Sequence, residues 1–480
     1  MFRKTQFARK PLQSVKVSKP KTSRREKIVR WGLLGTFLII SYFAGWMQTW
    51  AKQIANTVAY IAGSTIGNSV QKDESKNINV LLVGYGGGKH GGAQLADTII
   101  VASYNTNQHS VSMISLPRDL LVLNGSGDVV KINSILSRAY NNNGGDIRSA
   151  AQTLMKSVEK ITGLTIPYYA MIDFDGFIQV VDSVGGIDIY VPQHFLDREY
   201  PVDWNGTYEI FELFEGWNHL SGPNTLKYAR SRHSTSDFSR SKRQQQIIEA
   251  VAKKILSRDN LSISKLGELY NYYTTIVKTN LQLDDMVGLA KNGTNIPQMF
   301  AFGYTTQCAN TIWRTMVAGC VLRDASGGLL PENSSGGVIE AYRDTKTFAK
   351  IVSSNPAFLA EDAQITIYNA SDKEQSKLLP FGDGIASKTA AKMRRYALDV
   401  QEVTNTDLIS TGTFVEIYGT GTYDNTIELM KQFVPIQQVI TYPDRINTQG
   451  VMKTGEVYLY LGEDYIQNIG QKEFDFYSII

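Results

Sequence analysis

Arg230, Arg232, Arg240, Lys242 and Arg243 crowd into the stretch 228–246, where Asp237 is the one acid. Arginine presents a planar fork of donors that matches a phosphate, so such a cluster has the chemistry of an anion site. Ile248, Val251 and Ile255 follow at spacings of three and four, the mark of a helix with one apolar face. Counting back in fours from Ile248 reaches Gln244 and Arg240, which continue that stripe and should face inward. Ser236 or Asp237 would cap the helix, whose first turn adds free backbone N–H groups. A solvated basic helix start has the same composition, but alignment with the apolar stripe favours the inward anion site.

A second set lies upstream. Asp97-Thr98 opens a run expected to be a strand through residue 104, and 110–116 reads as the next strand, ending in S-L-P-R-D. Pro117 stiffens the turn that presents Arg118 and Asp119, just past a strand's carboxyl end, where open α/β sheets hold ligands. An Arg-Asp pair in a turn is otherwise an ordinary local ion pair. Lys131 and Asn133 follow on a short strand and a helix start. The glycine run at 84–88 follows an apolar strand at 78–83, but it lacks the G-x-x-x-x-G-K-[ST] spacing, so a nucleotide loop is not indicated. Cys308 and Cys320 are the only cysteines. Twelve residues apart, they fit a disulfide in an oxidising compartment, and two free thiols fit as well.

These groups need a scaffold. Helices are expected at 134–140, 146–162, 174–184 and 224–228, with strands at 168–172 and 187–191. That alternation predicts an α/β layer structure. Residues 192–218 are aromatic and acidic and show no clear period. Helical spacing resumes at 263–276 and 283–291, then at 338–353. From about residue 363 a smaller α/β unit is expected: strands at 365–368, 398–403, 413–418, 438–442 and 456–461, and helices at 384–396 and 423–433.

The chain's 480 residues exceed one ordinary domain. Its net charge of +4 is a property of the tail. Residues 1–30 hold eleven Lys and Arg against Glu26; the remainder holds 38 basic and 44 acidic residues. A nucleic-acid footprint would sit on a folded domain instead. Residues 31–50 carry no charge and, at about 1.5 Å per residue, span one hydrocarbon core. Trp31 and Trp50 suit its two interfaces. The expected layout is a basic cytoplasmic tail (1–30), one transmembrane helix (31–50) and a stalk (51–76). A catalytic domain (77–325), a linker with a helix (326–362) and a terminal unit (363–480) follow outside the cell.

The order of D-T at 97, S-L-P-R-D at 115, K-I-N at 131 and F-x-G-F-x-x-x-V-D-x-V-G-G-I from 174 is specific. So are L-x-G at 220 and Y-A-R-x-R-H with D-F-x-R-x-x-R-Q-Q. In these residues, covering about 78–256, the chain resembles the LytR-CpsA-Psr family of bacterial cell-wall glycopolymer ligases. The unit from 363 resembles, more loosely, that family's C-terminal accessory domain. The resemblance implies an α-β-α sandwich behind a membrane helix. It also implies a phosphotransferase that moves an anionic glycopolymer from a polyprenyl-(pyro)phosphate carrier to peptidoglycan, with pyrophosphatase-like hydrolysis. By residue, Arg118, Arg230, Arg232, Arg240 and Arg243 would hold the pyrophosphate, with Gln244, Lys131 and Asn133 as further donors. Arg118, Asp119 and Arg240 would be catalytic, Asp119 by orienting arginines or taking the acceptor's proton. Asp97 would hold Mg²⁺.

One position departs from the family pattern. An acid is expected in G-x-D after the first strand, and here Gly84-Tyr85-Gly86 stands. A second reading is therefore a non-enzymatic scaffold or sensor of envelope assembly that binds a polyprenyl phosphate.

Overall fold

The computed structural model describes residues 70–88, 92–201, 207–231, 237–256, 275–282, 285, 298–306, 317–331, 342–372, 384–443 and 456–471. The basic tail, the apolar stretch 31–50, most of the stalk, Arg232, Cys308 and the helices expected at 263–276 and 283–291 lie wholly or largely outside them. Among the described residues no helix is long and apolar enough to cross a membrane.

Strands β1 (Asn77–Tyr85), β2 (Ala96–Asn105) and β3 (Ser110–Ser115) form an antiparallel meander. The small hairpin β4 (Leu121–Leu123) and β5 (Val129–Lys131) leads into helices α1 (Asn133–Asn142) and α2 (Ile147–Thr162). Asp146 starts α2 by accepting from the N–H groups of Arg148 and Ser149, and Gly163 ends it in the left-handed region at φ 67°. Strand β6 (Tyr168–Asp173) returns parallel to β1. Asp173 then caps α3 (Phe174–Ser183), with Oδ1 accepting from the Gly176 N–H at 2.7 Å.

Next come β7 (Ile187–Val191), β8 (Phe195–Pro201), β9 (Tyr208–Leu213) and β10 (Gly216–Leu220). β8 pairs with β9 and β10 with β7, both antiparallel. The sequence shows no period here because β9 is apolar on both faces. Phe211 and Leu213 are buried while Tyr208 and Ile210 face solvent. Alternation of polarity, the usual sign of a strand, is therefore erased.

Helices α4 (Gly222–Arg230) and α5 (Asp237–Leu256) follow, then β11 (Lys278–Thr279), β12 (Gln298–Tyr304) and β13 (Val317–Gly319). The central sheet runs β11-β6-β1-β2-β3-β12-β13. Successive strand residues point to opposite faces. Leu81, Val83 and Val101 therefore join a core with α1 and α2, whereas Val80, Leu82 and Ile100 join one that includes Ile248 of α5. These are the layers of an α/β sandwich.

The hairpin β14 (Leu322–Ala325) and β15 (Gly328–Pro331) precedes α6 (Arg343–Ser354). α6 is the helix expected in the stretch 326–362, and it is packed on the central sheet. Asn105 Nδ2 donates to the Ser354 carbonyl at 2.9 Å, and Tyr304 Oη to that of Thr345 at 2.8 Å. The terminal unit comprises β16 (Ile365–Asn369), α7 (Ile385–Arg395), β17 (Val400–Asn405), β18 (Phe414–Tyr418), α8 (Asp424–Lys431), β19 (Gln438–Tyr442), β20 (Val457–Leu461) and α9 (Glu463–Gln471). Its sheet runs β17-β16-β20-β18-β19. It is fastened to α6 through Asp344, buried at 1% exposure, which accepts from Tyr396 Oη at 2.9 Å and Arg395 Nη1 at 3.1 Å.

Candidate functional site

A cavity of about 520 Å³ lies between the sheet and helices α3, α4 and α5. Its walls are mainly apolar: Leu82 and Ile100 from the sheet, Phe177 and Val180 from α3, Ile247, Ile248 and Val251 from α5. Asp97, Arg118, Asp173, Arg230, Arg240 and Gln244 line the same space. A cavity that is apolar over most of its wall and carries a few convergent cations suits an amphiphile with an anionic head.

Helical spacing makes α5 contribute both kinds of wall. Arg240, Gln244, Ile248 and Val251 succeed one another at intervals of four and three, and all four line the cavity. Arg243 sits on the flank of that stripe. It is buried at 5% exposure, donates from Nε to the Tyr228 carbonyl at 2.8 Å and from Nη2 to the Ser231 carbonyl, and stacks on Phe195 and Tyr228. Burial lowers its pKa to about 10, opposed by Tyr228 and by Asp197. Arg243, expected among the pyrophosphate ligands, thus holds the end of α4 and the chain beyond it in place. Gln245 was no candidate, yet it is buried and its Nε2 donates to Ser115 Oγ at 2.9 Å, Phe302 O at 3.0 Å and Met113 O at 3.1 Å. That side chain pins α5 across β3 and β12.

Arg118 is set by backbone. The turn Pro117–Leu120 closes with the Leu120 N–H on the Pro117 carbonyl, and the Asn133 N–H donates to the Arg118 carbonyl at 3.2 Å. Arg118 Nη1 donates to Asp97 Oδ1 at 2.7 Å. Asp119 lies beside it, 3.6 Å from Arg118 Nε, and accepts from Lys131 Nζ at 2.7 Å. Asp119, Lys131 and Asn133 are outside the cavity lining; they brace the turn that carries Arg118.

Arg230, the last residue of α4, lies over the Phe174 ring at 4.4 Å and donates from Nη1 to Tyr200 Oη at 3.2 Å. An aromatic face attracts a guanidinium and fixes its plane. Burial raises the Tyr200 pKa, and Arg230 pulls it back. Neither Phe174 nor Tyr200 was a candidate, since the chain brings them to Arg230 from distant elements.

Asp173 was also missed. A Cβ on Gly87, whose φ is +68°, would come within 2.6 Å of the Asp173 Cβ, so the glycine loop makes room for that carboxylate. For magnesium the donor set is sparse. Gly86 offers no carboxylate, Asp97 is already bonded to Arg118, and no group of three His, Cys, Asp or Glu that could hold a metal occurs among the described residues. Mg²⁺ is commonly held by one or two carboxylates together with substrate phosphates, and one cavity carboxylate at Asp97 fits that mode rather than a cage of protein groups.

Cys320 is half of a disulfide; the chain's one other cysteine, Cys308, lies outside the described residues.

A model of the LytR_cpsA_psr family matches residues 44–312. The polyisoprenyl-teichoic acid–peptidoglycan teichoic acid transferase TagU of Halalkalibacterium halodurans is 33% identical over 240 residues, which cover 48% of this chain and 71% of that protein. TagV of Bacillus subtilis, of the same description, is 29% identical over 252 residues, 52% of this chain and 59% of that protein. The crystal structure of B. subtilis TagV aligns with 58% of this chain and 97% of its own, at 24% identity and a TM-score of 0.40.

Proposed function

The chain belongs to the LytR-CpsA-Psr family, and from that premise we propose that it is a phosphotransferase joining a polyprenyl-pyrophosphate-linked glycopolymer to peptidoglycan. The observation that carries this reading is one cavity with apolar walls that also holds Arg118, Arg230, Arg240 and Gln244. The walls take the polyprenyl chain, and the cations and the amide take the pyrophosphate. Phosphoryl transfer asks the protein chiefly for positioning and charge neutralisation, which converging guanidiniums supply.

In the proposed reaction an acceptor hydroxyl attacks the phosphorus that bears the glycan. A new P–O bond forms, the bridging P–O bond breaks, and its electron pair leaves on polyprenyl phosphate. The hydroxyl's proton passes to Asp173, the cavity carboxylate that is not paired with Arg118. Water in place of the acceptor would give pyrophosphatase-like hydrolysis. Asp97 and the phosphate oxygens would hold Mg²⁺, which would neutralise phosphate charge.

The proposed setting is the outer face of a cell membrane, with the amino terminus in the cytoplasm and residues 31–50 as the anchor. The uncharged stretch behind a basic tail supports it, as does a disulfide at Cys320, which persists in oxidising compartments.

The test uses full-length protein, a polyprenyl-pyrophosphate glycan and a soluble peptidoglycan acceptor, with phosphodiester-linked product as the readout. Wild type should form product, and Arg118→Ala and Arg240→Ala should not. Tight lipid binding without turnover under any divalent ion would favour the lipid-binding scaffold instead.

A further inference from the structure

The two strand pairs that follow α3, β7 with β10 and β8 with β9, carry a solvent-facing aromatic surface that the transfer chemistry does not use. Trp217 is 75% exposed, Phe214 67%, Ile210 63% and Tyr208 57%. Large apolar side chains this exposed within ten residues of chain mark a binding surface. Two of the rings are held by neighbours: the Tyr190 and Trp217 rings meet edge to face at 5.6 Å, and His194 stacks on Phe214 at 5.7 Å. Polar groups stand fixed between the rings. His219 Nδ1 is 2.6 Å from Asp188 Oδ1, and His194 Nε2 is 2.8 Å from Glu212 Oε1.

The surface begins at the cavity. Pro201 lines the cavity and pairs directly with Tyr208 across the β8–β9 hairpin. From Tyr208 the outward positions run along β9 through Ile210 and Glu212 to Phe214. At about 3.4 Å per residue this track is roughly 20 Å long.

Charge selects the occupant. Among the described residues from 187 to 220 the exposed acids are Asp188, Glu199, Glu212 and Glu215, against Arg198 as the one arginine or lysine; Asp197 is buried and Glu209 is paired with Lys227 at 2.6 Å. A surface that docks on an anionic bilayer carries Lys and Arg around its apolar centre, the reverse of this rim. An anionic glycopolymer would be repelled too. An uncharged sugar chain is not: the C–H face of a pyranose packs on an aromatic ring, and its hydroxyls and amides bond to carboxylates and imidazoles.

We propose that this face binds the glycan strand of the acceptor and leads its hydroxyl to the cavity lip at Pro201 and Tyr200. The inference rests on the transferase reading and adds to it the place and chemistry of acceptor recognition.

The experiment titrates full-length protein in nanodiscs with a tetramer of β-1,4-linked N-acetylglucosamine, following tryptophan fluorescence and, separately, affinity for a polyprenyl pyrophosphate. Wild type should bind the tetramer saturably with a fluorescence change. Trp217→Ala should abolish that change, and both Trp217→Ala and Tyr208→Ala should weaken tetramer binding about tenfold. Lipid affinity should stay at the wild-type level in both variants, which also verifies their folding. Absence of saturable tetramer binding, or binding unchanged in both variants, overturns the proposal. So does quenching of Trp217 by brominated nanodisc lipid, which would make the face a membrane contact. A failure of the transferase reading would appear elsewhere, as lipid binding without turnover.

Discussion

Arg118 Nη1 and Asp97 Oδ1 are 2.7 Å apart, joining the turn after β3 to the first residues of β2 at the cavity wall. The carboxylate holds the guanidinium ready, so an arriving pyrophosphate meets an oriented fork instead of a flexible cation. Truncating the arginine removes charge-assisted bonds worth about 1.5–3 kcal/mol each. Arg118→Ala should therefore lower lipid-pyrophosphate affinity by roughly 10–100-fold. Asp97→Asn, which keeps the shape and loses the charge, should cost less in binding. Isothermal titration of both variants decides; wild-type affinity in Asp97→Asn would deny the pair its orienting role.

Arg243 and Arg240 stand three residues apart on α5 but should fail differently. Arg243→Met leaves the Tyr228 and Ser231 carbonyls without their donor. A buried group so orphaned costs about 1–3 kcal/mol. The expected outcome is a lower unfolding midpoint in urea, with lipid affinity of the folded protein changed far less than by Arg240→Ala. A variant as stable as wild type but unable to bind lipid would reverse this assignment.

The apolar part of the cavity can be filled from α5. Val251 lies on its wall and is 4% exposed. Val251→Trp should abolish binding of a long polyprenyl pyrophosphate while leaving that of inorganic pyrophosphate intact, at a folding cost of about 1–3 kcal/mol. Competition assays with the two ligands separate the outcomes. Full retention of long-chain binding would put the lipid elsewhere.

Alkali should unfold the protein through its tyrosines. Tyr85 is raised to about 12 by burial first and then by Asp173 and Tyr140, and Tyr104 is raised to about 12 by burial. A folded pKa above the unfolded one favours the native state below about pH 10 and loses that advantage as pH climbs toward about 12. Stability should thus decline across that interval, with tyrosinate absorbance appearing together with loss of circular dichroism. Ionisation of these two tyrosines at the ordinary phenol pKa in a fully folded protein would contradict the assignment.

Much of this molecule is written locally. The strand at Asn77–Tyr85 and the helix Ile147–Thr162 follow from apolar spacing and capping within a few residues. The inward turn of Arg240 and Gln244 is equally local, because one helical period carries them onto the face of Ile248 and Val251. Spacing could not separate Arg240 from Arg243, since both lie close to the apolar stripe. Which one meets the cavity and which one meets carbonyls is decided by where α4 and Phe195 pack. The cradle of Phe174 and Tyr200 around Arg230 is assembled from elements far apart in the chain, and no short-range pattern encodes it. The strands at 195–220 escaped notice for the opposite reason. Their outer face is as aromatic as their inner one, so the contrast that betrays a strand exists only once the fold has chosen which rings to bury.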